Sequence, residues 1–432
     1  MRALAVVALG AMSACAGTTG TVQLDLATAP GSHVLDPVVR LRVTLTNPHQ
    51  VIEATRTGSG FDLALELDAA DTSGALIVEG FDAAGALVAC GQSPGFPVSA
   101  INAHIVVYVA APRSIAVAPG AFAAPLSDAS GAAISYGAVL AGGRDAAGAP
   151  TTTIAVYNAF DHTLTEGIAM PAARAGLAMA AGAAGGVYLF GGTGPDDNPA
   201  STLWRFDTTV APNGAFTALT SQTGFARSHE RLVPLASERY LVTGTPALEL
   251  KSGTLAARSD VTGLPAAGAA VVPGDGNATA IFAGAMLVRF RGEAFDTLAG
   301  AGRADAAATA LPDGRIAVLG GSDAASAHDA LVIDGATGAV TVVPGVLAAV
   351  RSRPAVAATS RYVVVAGGSD ALGAPIASAE LLDAKTLAPV ATLPILARSG
   401  GFAIALPSDQ VLLGGGAPAA AALELFTPEP PP

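Results

Sequence analysis

An apolar, strand-like run that ends in paired small residues recurs along most of this chain, and it constrains the fold more than any other feature. The runs are Val139-Leu140-Ala141-Gly142-Gly143, Val187-Tyr188-Leu189-Phe190-Gly191-Gly192, Tyr240-Leu241-Val242-Thr243-Gly244, Ala280-Ile281-Phe282-Ala283-Gly284, Ile316-Ala317-Val318-Leu319-Gly320-Gly321, Val363-Val364-Val365-Ala366-Gly367-Gly368 and Val411-Leu412-Leu413-Gly414-Gly415. They stand about 37 to 52 residues apart, a period at which one small supersecondary unit is copied and stacked on its neighbours. A small-residue strand precedes each run, and an alternating strand follows, as in Leu203-Trp204-Arg205-Phe206-Asp207 or Glu380-Leu381-Leu382-Asp383. A fourth short strand comes next, as in Ala339-Val340-Thr341-Val342-Val343, so each unit reads as a four-stranded antiparallel sheet. Composition agrees. The chain is 51% hydrophobic but only 13% charged and 5% aromatic, with 51 glycines, and its apolar residues are mostly Ala and Val in runs cut by Gly, Asp and Pro. That suits short strands and tight turns rather than helices.

Three features repeat in phase: the glycine doublet, a trailing pair such as Tyr157-Asn158 or Phe206-Asp207, and an arginine about 17 residues before the next doublet, namely Arg174, Arg227, Arg303, Arg351 and Arg398. On these residues the stretch 113–428 resembles the kelch repeat family, which implies a β-propeller. The usual outer-strand tryptophan is missing, since Trp204 is the one tryptophan and sits elsewhere. The third and fourth units, near 244 and 284, lack the doublet, and the fourth has Gly268 where an arginine is expected. The last unit lacks its outermost strand, because Thr427-Pro428-Glu429-Pro430 cannot continue a sheet. Ser114-Ile115-Ala116-Val117-Ala118 has no unit of its own and is expected to complete the last one, so that no edge is left open. The expected fold is therefore all-β: a small β-sandwich, immunoglobulin-like or transthyretin-like, over 22–112, then a kelch-type propeller over 113–428 with seven blades, six being the alternative, and a Pro-rich tail at 429–432.

The N-terminus reads as a leader. Met1-Arg2 and the apolar stretch Ala3 to Met12, too short to span a bilayer, lead into Met12-Ser13-Ala14-Cys15. This resembles a bacterial lipobox, which implies a signal peptide at 1–14, an acylated Cys15 and a tether over 15–21. An ordinary cleaved signal is the alternative. Cys90, the one other cysteine, can form no internal disulfide and is expected to be a small buried hydrophobe.

A formal charge of −12 excludes a nucleic-acid binder, which needs a basic surface. In kelch propellers the loop after the doublet strand and the loop entering the inner strand open on one face. Asp145, Asp196, Asp197, Asp323 and Asp370 recur in the first loop, and the arginines recur in the second. Either they form a ligand or partner site, or each arginine bonds loop carbonyls or an aspartate and fixes unit to unit. No catalytic constellation is visible, and neither cofactor nor metal is expected. Copper radical oxidases on this fold need a cysteine cross-linked to tyrosine and two histidine ligands, yet Cys90 lies outside the repeats. His162, His229 and His328 are expected to be solvent-exposed loop residues. These readings together point to a monomeric, non-enzymatic protein- or glycan-binding scaffold at the bacterial cell envelope, touching the membrane only through its lipid, with outer-membrane sorting expected. The alternative is a carbohydrate-active enzyme or a mutarotase-like sugar isomerase built on the propeller.

Overall fold

The computed structural model describes residues 19–431, apart from 59, 62–63, 69–71, 99–102, 220–222, 236, 266–268, 273–278 and 301. Cys15 with the leader, Gly268 and most of the Asp275–Thr279 turn lie outside the described residues. The fold is all-β, and the single turn Thr223–Phe225 is the only helical element among them. No helix among the described residues is long and apolar enough to cross a membrane.

Two sheets enclose one core in the N-terminal unit. The first has five strands in the order Gly60–Phe61, Gln50–Thr57, Arg40–Leu45, Leu76–Phe81 and Leu87–Gln92. The second places Thr19–Ala27 between Ala64–Asp68, antiparallel, and Ala103–Tyr108, parallel. Strict alternation in Arg40–Leu45 turns Leu41, Val43 and Leu45 inward, where they meet Val78, Ile105 and Val107. Two sequence expectations change here. The alternating run Phe61 to Leu67, which its period of two predicts to be a single strand, is divided between sheets, because Phe61 pairs with Arg56 in the first sheet while Leu65 pairs with Val22 in the second. The chain is also already a strand at Thr19, inside the segment read as tether.

From residue 130 the chain lays down five separate four-stranded antiparallel sheets, spanning 130–166, 178–219, 232–257, 269–297 and 306–343. The second strands, such as Gly137–Ala141, Gly186–Phe190 and Ile316–Gly320, are buried at every position. This explains their unbroken apolar runs. The fourth strands, such as Thr163–Glu166, are largely exposed and accordingly polar. Units six and seven depart from the separate-sheet pattern. The 17-residue strand Pro389–Ala405 ends one unit and opens the next, fusing them into a seven-stranded sheet from Ala355–Ala358 to Ser114–Leu126. Arg398 therefore sits within a strand, not in a loop. Ser114–Leu126 pairs antiparallel with Ala420–Thr427, Ser114 opposite Thr427 and Val117 opposite Glu424, and so supplies the outer strand the last unit lacks.

Apolar clusters join each sheet to its successor: Val139, Ile154, Leu189 and Phe206 between the first and second, and Leu319, Val332, Val363 and Leu382 between the fifth and sixth. Another, with Leu140, Tyr157, Leu412 and Leu425, joins the last unit to the first. Each such fully buried side chain contributes about 1.5–3 kcal/mol.

The glycine doublets sit at these junctions. Gly320 and Gly367 adopt φ of +74° and +61°, and a Cβ on either would collide with the carbonyl oxygen of the next unit's arginine, Arg351 or Arg398. The second glycine then donates its N–H to that carbonyl: Gly143 to Arg174 at 3.0 Å, Gly321 to Arg351 at 2.8 Å and Gly368 to Arg398 at 2.8 Å. In the third unit Gly244 donates in the same way to Leu264 at 2.7 Å, so the Leu264 carbonyl takes the place of the arginine's there. Where the doublets fail, an outer ionic network joins the third and fourth sheets: Arg239 and Arg258 both bridge Glu249 and Glu293, and Arg258 also lies 5.3 Å from the Phe295 ring centroid.

Candidate functional site

The recurrent arginines are spent largely on the protein itself. The Arg351 guanidinium is 1% exposed; it donates to Glu380 Oε1 at 2.9 Å, to the carbonyls of Gly367 and Ser378 at 2.8 Å each, and to Ser378 Oγ at 2.9 Å. Arg398 is equally buried and pairs with Glu424. Arg227 donates to the Thr243 and Pro246 carbonyls, and Arg303 to that of Asp329. Burial holds the pKa values of Arg227, Arg303 and Arg398 below the ordinary guanidinium range. Arg174 is half-buried, stacked 5.5 Å from the Trp204 centroid, and donates to the Ala173 carbonyl. The position that faces Arg174, Arg351 and Arg398 is filled by Trp204, Glu380 and Glu424 in turn, while Arg227 and Arg303 meet backbone carbonyls, a variation that hides the motif in the sequence.

The aspartates shape their own loops. Asp145 Oδ1 accepts the N–H of Ala147 and Ala149, and Asp370 Oδ1 those of Leu372 and Ala374, all at 2.8–3.0 Å. Asp323 accepts from Ala325 N–H and Ser326 Oγ, and Asp196 from the side chain of Asn198. Asp197 reaches across loops to Arg144 at 3.1 Å.

A different set of residues lies two positions beyond each arginine and, in the first unit, two beyond Leu126. Asp128, Gly176, His229, Asp305, Arg353 and Gly400 share left-handed backbone, with φ between +51° and +70°. They are linked unit to unit by backbone hydrogen bonds: Gly176 to Asp128 at 3.2 Å, His229 to Gly176 at 2.8 Å, Arg353 to Asp305 at 2.7 Å and Gly400 to Arg353 at 3.3 Å. The fourth unit's counterpart lies outside the described residues. Glycine is the unstrained solution at such a position, and two units use it. The other four carry Asp, His, Asp and Arg at a backbone cost of about 1 kcal/mol each, Arg fitting least well. His229 lies across Gly176 and bonds Asp128 at 2.9 Å, reaching from the third unit over the second to the first. That bond raises the His229 pKa, and Arg144 and Arg353 oppose the rise. Asp128 was not singled out in the sequence, and His229 was read only as an exposed loop residue; it is indeed 58% exposed at the side chain.

The other two histidines differ from expectation. His162 is buried, at 1% exposure, where the N-terminal unit meets the first sheet. Its Nε2 accepts the Tyr108 N–H at 3.2 Å and its Nδ1 lies 2.8 Å from Tyr157 Oη. His328 is half-buried, with Nδ1 2.8 Å from the Leu347 carbonyl. Cys90 is fully buried as expected; burial pushes its thiol up to about 12, and its Sγ–H donates to the Pro428 carbonyl at 3.3 Å. The adjoining Glu429 bonds Arg361 and Tyr362, so the C-terminal residues are docked between the N-terminal unit and the last sheets. Among the described residues no three His, Cys, Asp or Glu side chains are grouped to hold a metal. No family model and no curated protein matches this chain.

Proposed function

We propose that residues 113–428 form a closed, seven-bladed propeller of the kelch type on an N-terminal sandwich, and that this is a binding module which reads its ligand at the axial mouth. Support for closure comes from the cyclic neighbour relations: each unit's first strand lies against the next unit's, and Ser130–Ile134 touches both Ala178–Ala181 and Pro389–Ala405. Gly415, at φ +61°, also approaches the Ala129 carbonyl of the first unit, the place an arginine carbonyl takes at other junctions. On this reading the left-handed residues surround the axis. The observation that carries the binding function is the retention of Asp128, His229, Asp305 and Arg353 where Gly176 and Gly400 show that glycine fits. Costly backbone at solvent-facing charged residues marks a ligand site rather than packing.

A pull-down from native envelope combined with a glycan array tests this. Charge reversal Arg353→Glu, with His229→Gln, is expected to lower captured ligand at least tenfold while leaving the unfolding midpoint unchanged. Undiminished capture would place the site away from the mouth. The ligand is a protein or glycan of the envelope, and Cys15 carries the anchor. Cys15→Ser is expected to shift the chain from the membrane fraction to the soluble one; unchanged fractionation rejects the anchor.

A further inference from the structure

Away from the mouth, a cleft of about 190 Å³ opens between the outer strands of the first sheet and the third strand and following loop of the second. Its volume exceeds the roughly 150 Å³ of an engineered apolar cavity that admits benzene, so it holds one six-membered ring. The walls are mixed, polar and apolar in nearly equal parts, and the polar groups have open hydrogen-bonding capacity. The Tyr136 hydroxyl, the Thr165 hydroxyl and the Asn213 carboxamide line it, and none has a side-chain hydrogen bond to another described residue. Asn158 uses only its Oδ1, on the Phe160 N–H at 2.9 Å, which leaves its amide donors for a ligand. Asp161 uses Oδ1 on Thr163, at 3.0 Å to the N–H and 2.7 Å to the hydroxyl, which leaves Oδ2. The Tyr136 ring and Pro212 supply apolar faces between these groups.

The lining charge argues against an anionic ligand. Asp161 and Glu166 both border the cleft, and no Lys, Arg or His does. An anionic ligand would meet two carboxylates and no counter-charge. A purely apolar ligand would strip water from the hydroxyls and amides without replacing its bonds. A neutral pyranose meets both demands, because its hydroxyls pair with the Asn, Thr and Asp groups while its C–H faces lie on the Tyr136 ring and Pro212. We propose that this cleft is a binding site for one neutral hexose-sized sugar residue. This site is separate from the mouth and does not depend on it.

Saturation-transfer difference NMR on the full chain decides the matter, with methyl β-glucoside, methyl β-galactoside and N-acetylglucosamine as probes and glucuronate as the anionic control. At least one neutral sugar is expected to bind in the millimolar range typical of a single residue, glucuronate at least tenfold more weakly. Thr165→Arg, on an exposed strand, is expected to weaken that binding at least tenfold with an unchanged melting curve, and Asn213→Ala to weaken it severalfold. Arg353→Glu is expected to leave it intact, which separates this site from the mouth. Absence of saturation for all three neutral sugars, equal binding of glucuronate, or full binding by Thr165→Arg overturns the proposal.

Discussion

Glu380→Ala is expected to cost about 3–5 kcal/mol of stability, the range for breaking a buried ion pair by removing one partner. The Arg351 guanidinium beside Glu380 is 1% exposed and has no route to water, so without the carboxylate it becomes an uncompensated interior cation. Glu380 also accepts the N–H of Ala348 at 2.6 Å and of Ala349 at 3.3 Å, and both lose that acceptor with it. Glu380→Gln keeps the shape and part of the hydrogen bonding, and its expected loss is smaller, about 1–3 kcal/mol. Asp313→Ala, which removes a pair with both side chains more than a third exposed, serves as the control and is expected to cost under about 1 kcal/mol. Urea unfolding followed by far-UV circular dichroism measures all three. A Glu380→Ala midpoint indistinguishable from that of Asp313→Ala would show that the buried pair does not hold the sixth unit.

The recurrent arginine and one reading of its role, bonding loop carbonyls and fixing unit to unit, are legible in the sequence; the side chain that stands opposite it is not. The period of the repeats is written in the doublets because a backbone collision enforces glycine wherever the next unit's carbonyl must approach, as at Gly320 and Gly367. The pairing of Ser114–Leu126 with the last unit was readable for a related reason: one strand was surplus and one edge was open. The partner of the arginine, by contrast, need only sit opposite it in the third strand. An indole, a carboxylate or a backbone carbonyl each satisfies a guanidinium, so Trp204, Glu380 and Glu424 share a place without sharing a letter. Asp128 was invisible because its significance lies in its φ and in His229, 101 residues away.

The joint and the step after it are two layers of one motif. The arginine, its carbonyl and the preceding doublet form a conserved-geometry joint, and geometry fixes those residues tightly. Two positions later the chain turns left-handed, a demand glycine meets without strain at Gly176 and Gly400, so that turn does not itself require the side chains of Asp128, His229, Asp305 and Arg353. Under the proposed function those four side chains, rather than the doublets and arginines, would meet the ligand.

Acid is expected to weaken the joint between the N-terminal unit and the first sheet through His162. Its Nε2 accepts the Tyr108 N–H, so the proton of the neutral ring stands on Nδ1, directed at Tyr157 Oη. Protonating Nε2 would destroy the first bond and place a cation in an apolar junction. Burial accordingly lowers the His162 pKa from 6.5 to about 4, against a smaller opposing pull from Asp161. The unfolded chain takes up a proton near pH 6.5 that the fold refuses until about pH 4, so stability declines as pH falls through that interval and levels off below it. The accumulated loss is about 3 kcal/mol. His162→Gln cannot titrate; its stability is expected to be lower than that of the parent at pH 7, where it fills the junction less well, and nearly matched at pH 4. Carboxylates elsewhere titrate over part of the same range in both proteins, so the informative quantity is the difference between the two curves. Urea midpoints at half-unit steps from pH 7.5 to 4 supply it, and parallel curves would mean that His162 is no more than a spacer between the two parts of the molecule.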